Sequence, residues 1–226
     1  MSLASIIIPA HNEEDFLAQT INSYKSQAFK MSKVEYEIIV VANACNDNTV
    51  EIADMCGADK IIELGKANVS IARNIGAENA RGNILIFNDA DTRVAKNYVD
   101  VIKDVMADGT DYGAAFFKPE NNHPITYLYS LATWTSGFIW RDAGGNMFTK
   151  RDPFEKVGGY NPNLTLGEDT DLSRRMKDAG AKYKFLHKTH IITSMRRFEE
   201  KGYFTEFFIN QMAPYVKETF LPKRRN

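Results

Sequence analysis

Short apolar runs and helix-spaced apolar stripes take turns along the first 95 residues of the chain. Ser5-Ile6-Ile7-Ile8 is short and apolar, which predicts an interior strand closed by Pro9. Asn12 can cap a helix that has Asp15 in its first turn and Phe16, Leu17, Ile21 and Tyr24 as its apolar stripe. Residues 36–41 predict a second strand, Thr49–Met55 a short helix and residues 60–62 a brief third strand. Residues 69–80 then predict a helix stopped by Arg81-Gly82, ahead of the apolar strand Ile84–Phe87. Strands alternating with helices predict an α/β protein with a parallel sheet covered on both faces.

The pattern loosens beyond residue 95. Residues 95–107 predict a helix ending at Asp108-Gly109, and residues 113–117 a strand. The segment 127–140 carries Tyr127, Tyr129, Trp134, Phe138 and Trp140, a density expected of core or of a helix face. Gly144-Gly145-Asn146 reads as a flexible loop, Gly158 to Pro162 as a turn, and residues 168–179 as a charged helix stopped by Gly180. No repeat or low-complexity linker divides the chain, so both halves are expected to share one continuous sheet within a single domain, residues 1–226.

Composition narrows the classes. With 226 residues there is ample material for a core. Lys and Arg number 28 against 29 Asp and Glu, a balance that argues against a nucleic-acid binder. Cys45 and Cys56 supply no disulfide framework and fit a reducing compartment. No apolar run approaches the roughly 20 residues of a membrane helix, so a cytoplasmic protein is expected.

The chemistry concentrates just past the Ile84–Phe87 strand, at Asn88-Asp89-Ala90-Asp91. Ligands of open α/β sheets bind at the carboxyl ends of the strands, where Asp89 and Asp91 would stand. Two carboxylates one residue apart repel each other. A hard divalent cation, Mg²⁺ or Mn²⁺, accounts for the pairing, because it takes oxygen ligands and can share them with a diphosphate.

Several further motifs occur in a fixed order: residues 6–14 (IIIPAHNEE), Ala72-Arg73-Asn74-Ile75-Gly76, Ala80-Arg81-Gly82, Asp89-Ala90-Asp91, Gly145-Asn146-Met147, Gly158-Gly159-Tyr160 and residues 167–175 (GEDTDLSRR). Over residues 4–197 this order resembles the family 2 glycosyltransferases of the GT-A nucleotide-sugar fold, a Rossmann-like mixed, mostly parallel central sheet flanked by helices. The resemblance implies a nucleotide-binding half (4–95), an acceptor half (96–200) and a C-terminal helical and basic tail (201–226). It also implies inverting transfer from a nucleotide-sugar donor to an acceptor hydroxyl, in a lipid-linked or polysaccharide precursor. Asp169 would be the catalytic base, with Glu168 orienting it or binding acceptor hydroxyls. Asp91 would hold the metal, with Asp89 reaching the ribose, the sugar or the ion, and His187 is a candidate further ligand. Pro9, Ala10, His11, Glu13, Asn43, Lys66, Arg73 and Asn88 would line the donor site with Asp89. Gly144, Gly145, Asn146, Arg196 and Arg197 would meet acceptor or phosphate. As plain helix chemistry, Glu168, Asp169 and Asp171 also suit a helix N-terminus electrostatically, and Arg73 could equally pair with a carboxylate.

One position departs from the family pattern. The second strand usually ends in an Asp that accepts a hydrogen bond from the base, whereas Ala42 stands here in Val41-Ala42-Asn43-Ala44-Cys45-Asn46-Asp47-Asn48-Thr49. Asp47 is expected to serve the turn, and Asn43, able to donate and accept, to read the base. UDP- and GDP-sugars both stay open as donors. A non-catalytic nucleotide-sugar binder is the alternative reading. A sugar-phosphate nucleotidyltransferase would need a Gly-rich loop after the first strand, and a dinucleotide oxidoreductase its Gly-x-Gly-x-x-Gly turn; neither is present. In the tail, Phe204, Phe207, Phe208 and Met212 form an apolar stripe before Lys223-Arg224-Arg225. Packing onto the domain and peripheral contact with an anionic membrane are both compatible with it.

Overall fold

A computed structural model describes residues 3–28, 35–135, 137, 138, 141, 146–164 and 166–207. Its first half runs β1 (Ala4–Ala10), α1 (Leu17–Ala28), β2 (Tyr36–Asn43), α2 (Thr49–Met55), β3 (Lys60–Leu64), α3 (Val69–Glu78), β4 (Ile84–Phe87) and β5 (Thr92–Val94). The second half runs α4 (Tyr98–Ala107), β6 (Tyr112–Pro119), α5 (Pro124–Thr135), β7 (Met147–Lys150), α6 (Arg151–Lys156), α7 (Glu168–Asp178), β8 (Tyr183–Thr193) and α8 (Arg196–Lys201).

The strands form one eight-stranded sheet in the order β3-β2-β1-β4-β7-β6-β8-β5. β1 pairs in parallel with β2 and β4, and β2 with β3. β7 enters antiparallel between β4 and β6, β8 runs parallel to β6, and β5 pairs antiparallel with β8. The mixed α/β sheet expected from the sequence is therefore present and crosses both halves.

Alternating residues of one strand feed two cores, which is why the strands read as unbroken apolar runs. Ala4, Ile6, Ile8 and Ala10 of β1 pack with Leu17, Ile21 and Tyr24 of α1 and with Tyr98, Val99 and Ile102 of α4. Ile7 faces the opposite layer, with Leu85, Phe87, Met147, Tyr160, Leu172 and Met176. Among the described residues, no helix is long and apolar enough to cross a membrane.

Among the boundaries that differ from expectation, three have a clear physical reason. β1 continues through Pro9, which pairs with Val41, to Ala10. Its pairing with β4 has ended by Ile7, so the N–H that proline lacks is not demanded by a second neighbour. Asn12 is not a helix cap: it stands at φ 54, its Oδ1 accepts from the Asn46 N–H, and α1 opens only after Glu13 O accepts from Phe16 and Leu17. Asp15 consequently lies in the turn before the helix. α4 starts at Tyr98 rather than Ala95, because the Ala95 N–H donates to His190 O and extends the β5–β8 pairing.

The aromatic segment divides. Tyr129 packs against Phe117 and Phe198 with ring centroids 5.6 and 5.1 Å apart, whereas Tyr127 and Phe138 are exposed. Trp140 lies outside the described residues.

Gly113 marks where β6 meets β8 most closely. A Cβ there would stand 2.0 Å from Lys184 O and 2.5 Å from Phe148 Cζ. Because the nearer obstacle is backbone, relief requires the strands to part. Gly113→Ala should therefore destabilise by about 3 kcal/mol, the upper range for overpacking, read as a lowered urea midpoint. An unchanged midpoint would show that the strands yield freely.

Candidate active site

The carboxyl ends of β1, β2 and β4 bring the sequence motifs together. β4 ends at Phe87, and the following corner is held from beneath by Asn88. Its Nδ2 donates to Asp89 O at 2.9 Å and Thr92 O at 2.8 Å, and its Oδ1 accepts from Tyr24 Oη at 3.0 Å. Asn88 is wholly buried. The side-chain amide, assigned to the donor site on sequence grounds, is here engaged through both its nitrogen and its oxygen in holding the corner. Thr20 Oγ1 adds a bond to Ala90 O at 2.6 Å.

Above this corner sits Arg73, from the first turns of α3. Its Nη2 donates to Asp89 Oδ1 at 3.0 Å, and its Nη1 to Glu168 Oε1 at 2.9 Å and Asp169 Oδ1 at 3.2 Å. The guanidinium lies over the Tyr160 ring, 5.0 Å from its centroid. Arg73 is buried, whereas the Asp89 side chain is 33 % exposed. Burial alone would lower the arginine pKa, but Asp169, Tyr160, Asp89 and Glu168 together raise it, so the charge persists. Of the two roles open in the sequence, carboxylate pairing is the one present.

Glu168 and Asp169 reach Arg73 because α7 begins at Glu168, after Gly167 in the left-handed conformation at φ 78. The helix is tied back by Arg175, which donates to Val157 O, Gly159 O and Asp171 Oδ2. Asn74, next to Arg73, clasps Tyr160 on both sides: Nδ2 donates to Tyr160 O at 2.8 Å and Oδ1 accepts from Tyr160 N at 2.9 Å. Gly159, at φ 64, allows this, since a Cβ there would lie 2.7 Å from Asn74 Oδ1. Sequence reasoning assigned no role to Tyr160 or Asn74, although both lie in quoted motifs.

A second charge cluster adjoins the first. Asp91 is 8 % exposed, 3.6 Å from the Arg196 guanidinium, which also pairs with Glu13 Oε1 and lies over Phe16, 4.6 Å from the ring centroid. Glu13 Oε2 is buried without a hydrogen-bond partner. Burial first, then Asp89 and Glu13, push the Asp91 pKa up to about 6 against the opposing pull of Arg196 and Arg197. Arg197 itself is exposed.

Two carboxylates can suffice for Mg²⁺, which is commonly held by one or two carboxylates with substrate phosphates and water. The crowded charge at Asp91 and the orphaned Glu13 oxygen fit a cation, which Asp91, with Asp89 or Glu13, would hold. His187 does not join them: it rests near Phe185 and Phe138, with ring centroids 5.1 and 6.1 Å away. Among the described residues, no three His, Cys, Asp or Glu side chains form a metal-holding group. His187, a candidate further ligand on sequence grounds, stands here on the aromatic face.

The donor-side residues flank the same edge. Pro9 and Ala10 pair with Val41 and Ala42. His11 Nδ1 lies 2.6 Å from Asn43 O, while Asn43 Oδ1 accepts from the Asn68 N–H at 2.8 Å. Asn68 caps α3 through Ile71 N and donates to Pro162 O at 3.0 Å, linking the strand end to the segment before α7. Asn43's acceptor is therefore engaged within the protein. Asp47 has the turn role expected of it: Oδ1 accepts from Thr49 N and Oγ1, and Oδ2 from Glu14 N. Lys66 is exposed between β3 and α3. Asn146 is buried, with Oδ1 lacking a partner, and Gly144 and Gly145 lie outside the described residues.

The family model described as glycosyl transferase family 2 matches residues 5–165. The chain belongs to that family. A second model, described as the N-terminal domain of galactosyltransferase, matches residues 135–201 of this family 2 chain. It is 28 % identical to the glycosyltransferase AglE of Haloferax volcanii over 200 residues, covering 83 % of this chain and 65 % of that protein. It is 39 % identical to the uncharacterised glycosyltransferase YfnE of Bacillus subtilis over 100 residues, 42 % of this chain and 25 % of that one. The chain thus spans from a quarter to about two thirds of these relatives' lengths. Crystal structures of Staphylococcus aureus TarS 1–349 share the fold. The complex with UDP-GlcNAc gives a TM-score of 0.69 at 18 % identity, covering 87 % of this chain and 59 % of that one. The complex with UDP gives 0.70 at 16 %, covering 100 % and 74 %.

Two stability predictions follow from the charges. Arg73→Met strands three carboxylates around a buried site and should cost about 3 kcal/mol, the lower range for breaking a buried pair; an unchanged urea midpoint would contradict it. For Asp91 the folded pKa lies above the ordinary value of 3.8. Its neutral form is favoured in the fold, so stability is fully present below about pH 4 and lost as pH rises through about 6. In EDTA, Asp91→Asn should be more stable than wild type by about 3 kcal/mol at pH 7.5, with the difference vanishing near pH 4. Melting curves across that range provide the check.

Proposed function

We propose that this domain transfers a sugar from a nucleotide-sugar donor to an acceptor hydroxyl, with inversion and with Mg²⁺ or Mn²⁺. The observation that carries the reading is Arg73 gathering Asp89, Glu168 and Asp169 at one sheet edge. A part-exposed carboxylate of the Asp-x-Asp corner thereby shares a partner with two carboxylates from the acceptor half. Family membership and a fold shared with TarS, solved with UDP-GlcNAc and with UDP, support a UDP- or GDP-sugar as donor.

In a single displacement the acceptor oxygen bonds to the anomeric carbon as the carbon–oxygen bond to the diphosphate breaks. Asp169 takes the acceptor proton. Glu168, on the same guanidinium nitrogen, orients the acceptor or its neighbouring hydroxyls. Asp89 meets the sugar or ribose. Arg73 keeps these carboxylates at fixed separations while offsetting part of their mutual repulsion. A cation on Asp91, with Asp89 or Glu13, would stabilise the charge of the departing nucleotide. At the base, Ala42 accepts no side-chain hydrogen bond and Asn43 Oδ1 is taken, which favours recognition through strand-end backbone and His11.

Replacing Asp169 by Asn preserves shape while removing basicity. Transfer should fall by about 10²–10⁴-fold, the usual contribution of a positioned base, with donor affinity little changed. Glu168→Gln should do less, appearing partly as a higher acceptor KM. Turnover with a nucleotide-sugar panel and Mn²⁺, beside donor calorimetry, makes the test. Near-wild-type transfer in Asp169→Asn would place the base elsewhere, and a wild type that neither transfers nor hydrolyses any donor would indicate a binding protein instead.

A further inference from the structure

Arg196 is a cation fixed at the place where a metal would be drawn. Its backbone is anchored there: Thr92 pairs with Thr193, Ser194 N donates to Asp91 O at 3.1 Å, and Arg196 N donates to Ser194 Oγ at 3.3 Å. Arg196 opens α8, a six-residue helix whose N-cap Met195 makes no side-chain cap. From this anchor the side chain, 25 % exposed, lies on Phe16 and reaches both Glu13 and Asp91. The guanidinium and a divalent ion would satisfy the same carboxylate oxygens. Both cannot do so fully, since two cations on one oxygen pair repel and the carboxylates must turn to one or the other.

We propose that Arg196 is a resident counter-ion of the cation seat, holding Glu13 and Asp91 until a cation arriving with the nucleotide displaces it. This rests on the cation reading given above. A tethered competitor acts at high effective concentration, so it keeps the seat's affinity for a bare ion low. The diphosphate reverses the balance, because it brings ligands for the ion and a new anionic partner for the released guanidinium. Cation and nucleotide binding become mutually dependent, and the coupling is reciprocal: each tightens the other by the same factor. The enzyme would then take its ion together with the donor rather than before it.

Mn²⁺ is titrated into the full chain by calorimetry and followed by electron paramagnetic resonance, first alone and then with UDP or GDP. Arg196→Gln should bind bare Mn²⁺ at least about fivefold more tightly than wild type, the lower end of ordinary coupling between sites. Arg196→Lys, which restores a tethered charge, should return towards wild type. Phe16→Leu leaves every charge in place and removes only the ring beneath the guanidinium; it should tighten bare Mn²⁺ in the same direction, by less. It also serves as the informative variant should Arg196→Gln fold poorly. With nucleotide present, the advantage of Arg196→Gln should disappear. Bare-ion affinity that is equal to or weaker than wild type in both Arg196→Gln and Phe16→Leu overturns the inference while leaving a cation site intact. A wild type that binds no Mn²⁺ even with UDP or GDP overturns the cation reading, and the inference with it.

Discussion

The site depends on one buried guanidinium. Arg73 joins the β4 corner, 16 residues away in the chain, to the start of α7, 95 and 96 residues away. A buried arginine without partners would be very costly, and so would three adjacent carboxylates without a cation. Each half therefore supplies what the other cannot lack. Tyr160 beneath the guanidinium and Asn74 beside it fix the plane in which the carboxylates are presented. The geometry of the candidate site and the contact between the halves are in this sense a single interaction.

What the sequence made legible was whatever depends on near neighbours. The apolar runs of β1, β2 and β4 show themselves because both faces are buried, and α2 falls on its expected residues, Thr49–Met55. The Asp-x-Asp corner was legible because β4 is short and ends abruptly. β5 and β7, of three and four residues, carry no period of their own, and the antiparallel insertion of β7 is decided by partners far along the chain.

Side-chain roles were legible only where chemistry left one choice. Asp47, two residues before a helix-opening Thr, could do little but brace the turn. Asn88 and Arg73 were ambiguous, because an amide or guanidinium beside a carboxylate motif looks the same in sequence whether it faces a ligand or the backbone. Burial shows what holds each of them within the protein. Asn88 is consumed within the corner and Arg73 within the carboxylate cluster. His187 was read from its place late in a strand, a position that does not reveal its neighbours, and its ring lies 5.1 Å from that of Phe185.

The two clusters are unequal in charge, and that inequality shapes the chemistry. Glu13, Asp89, Asp91, Glu168 and Asp169 are five carboxylates, opposed closely by the two guanidiniums of Arg73 and Arg196. Asp89 belongs to the Arg73 cluster by contact and to the Asp91 cluster by repulsion, so both clusters share its charge. Arg73 is buried and cannot leave, so its carboxylates keep their arrangement whatever binds. Arg196 is partly exposed at the start of a short helix, as the proposed displacement requires. On the proposed reading, a ligand that adds positive charge is accommodated at Asp91, while Asp169 keeps its pairing with Arg73. Under the proposed roles, the fixed cation stands beside the base and the displaceable one on the leaving-group side, which keeps the two tasks apart although the carboxylates involved sit within one continuous patch.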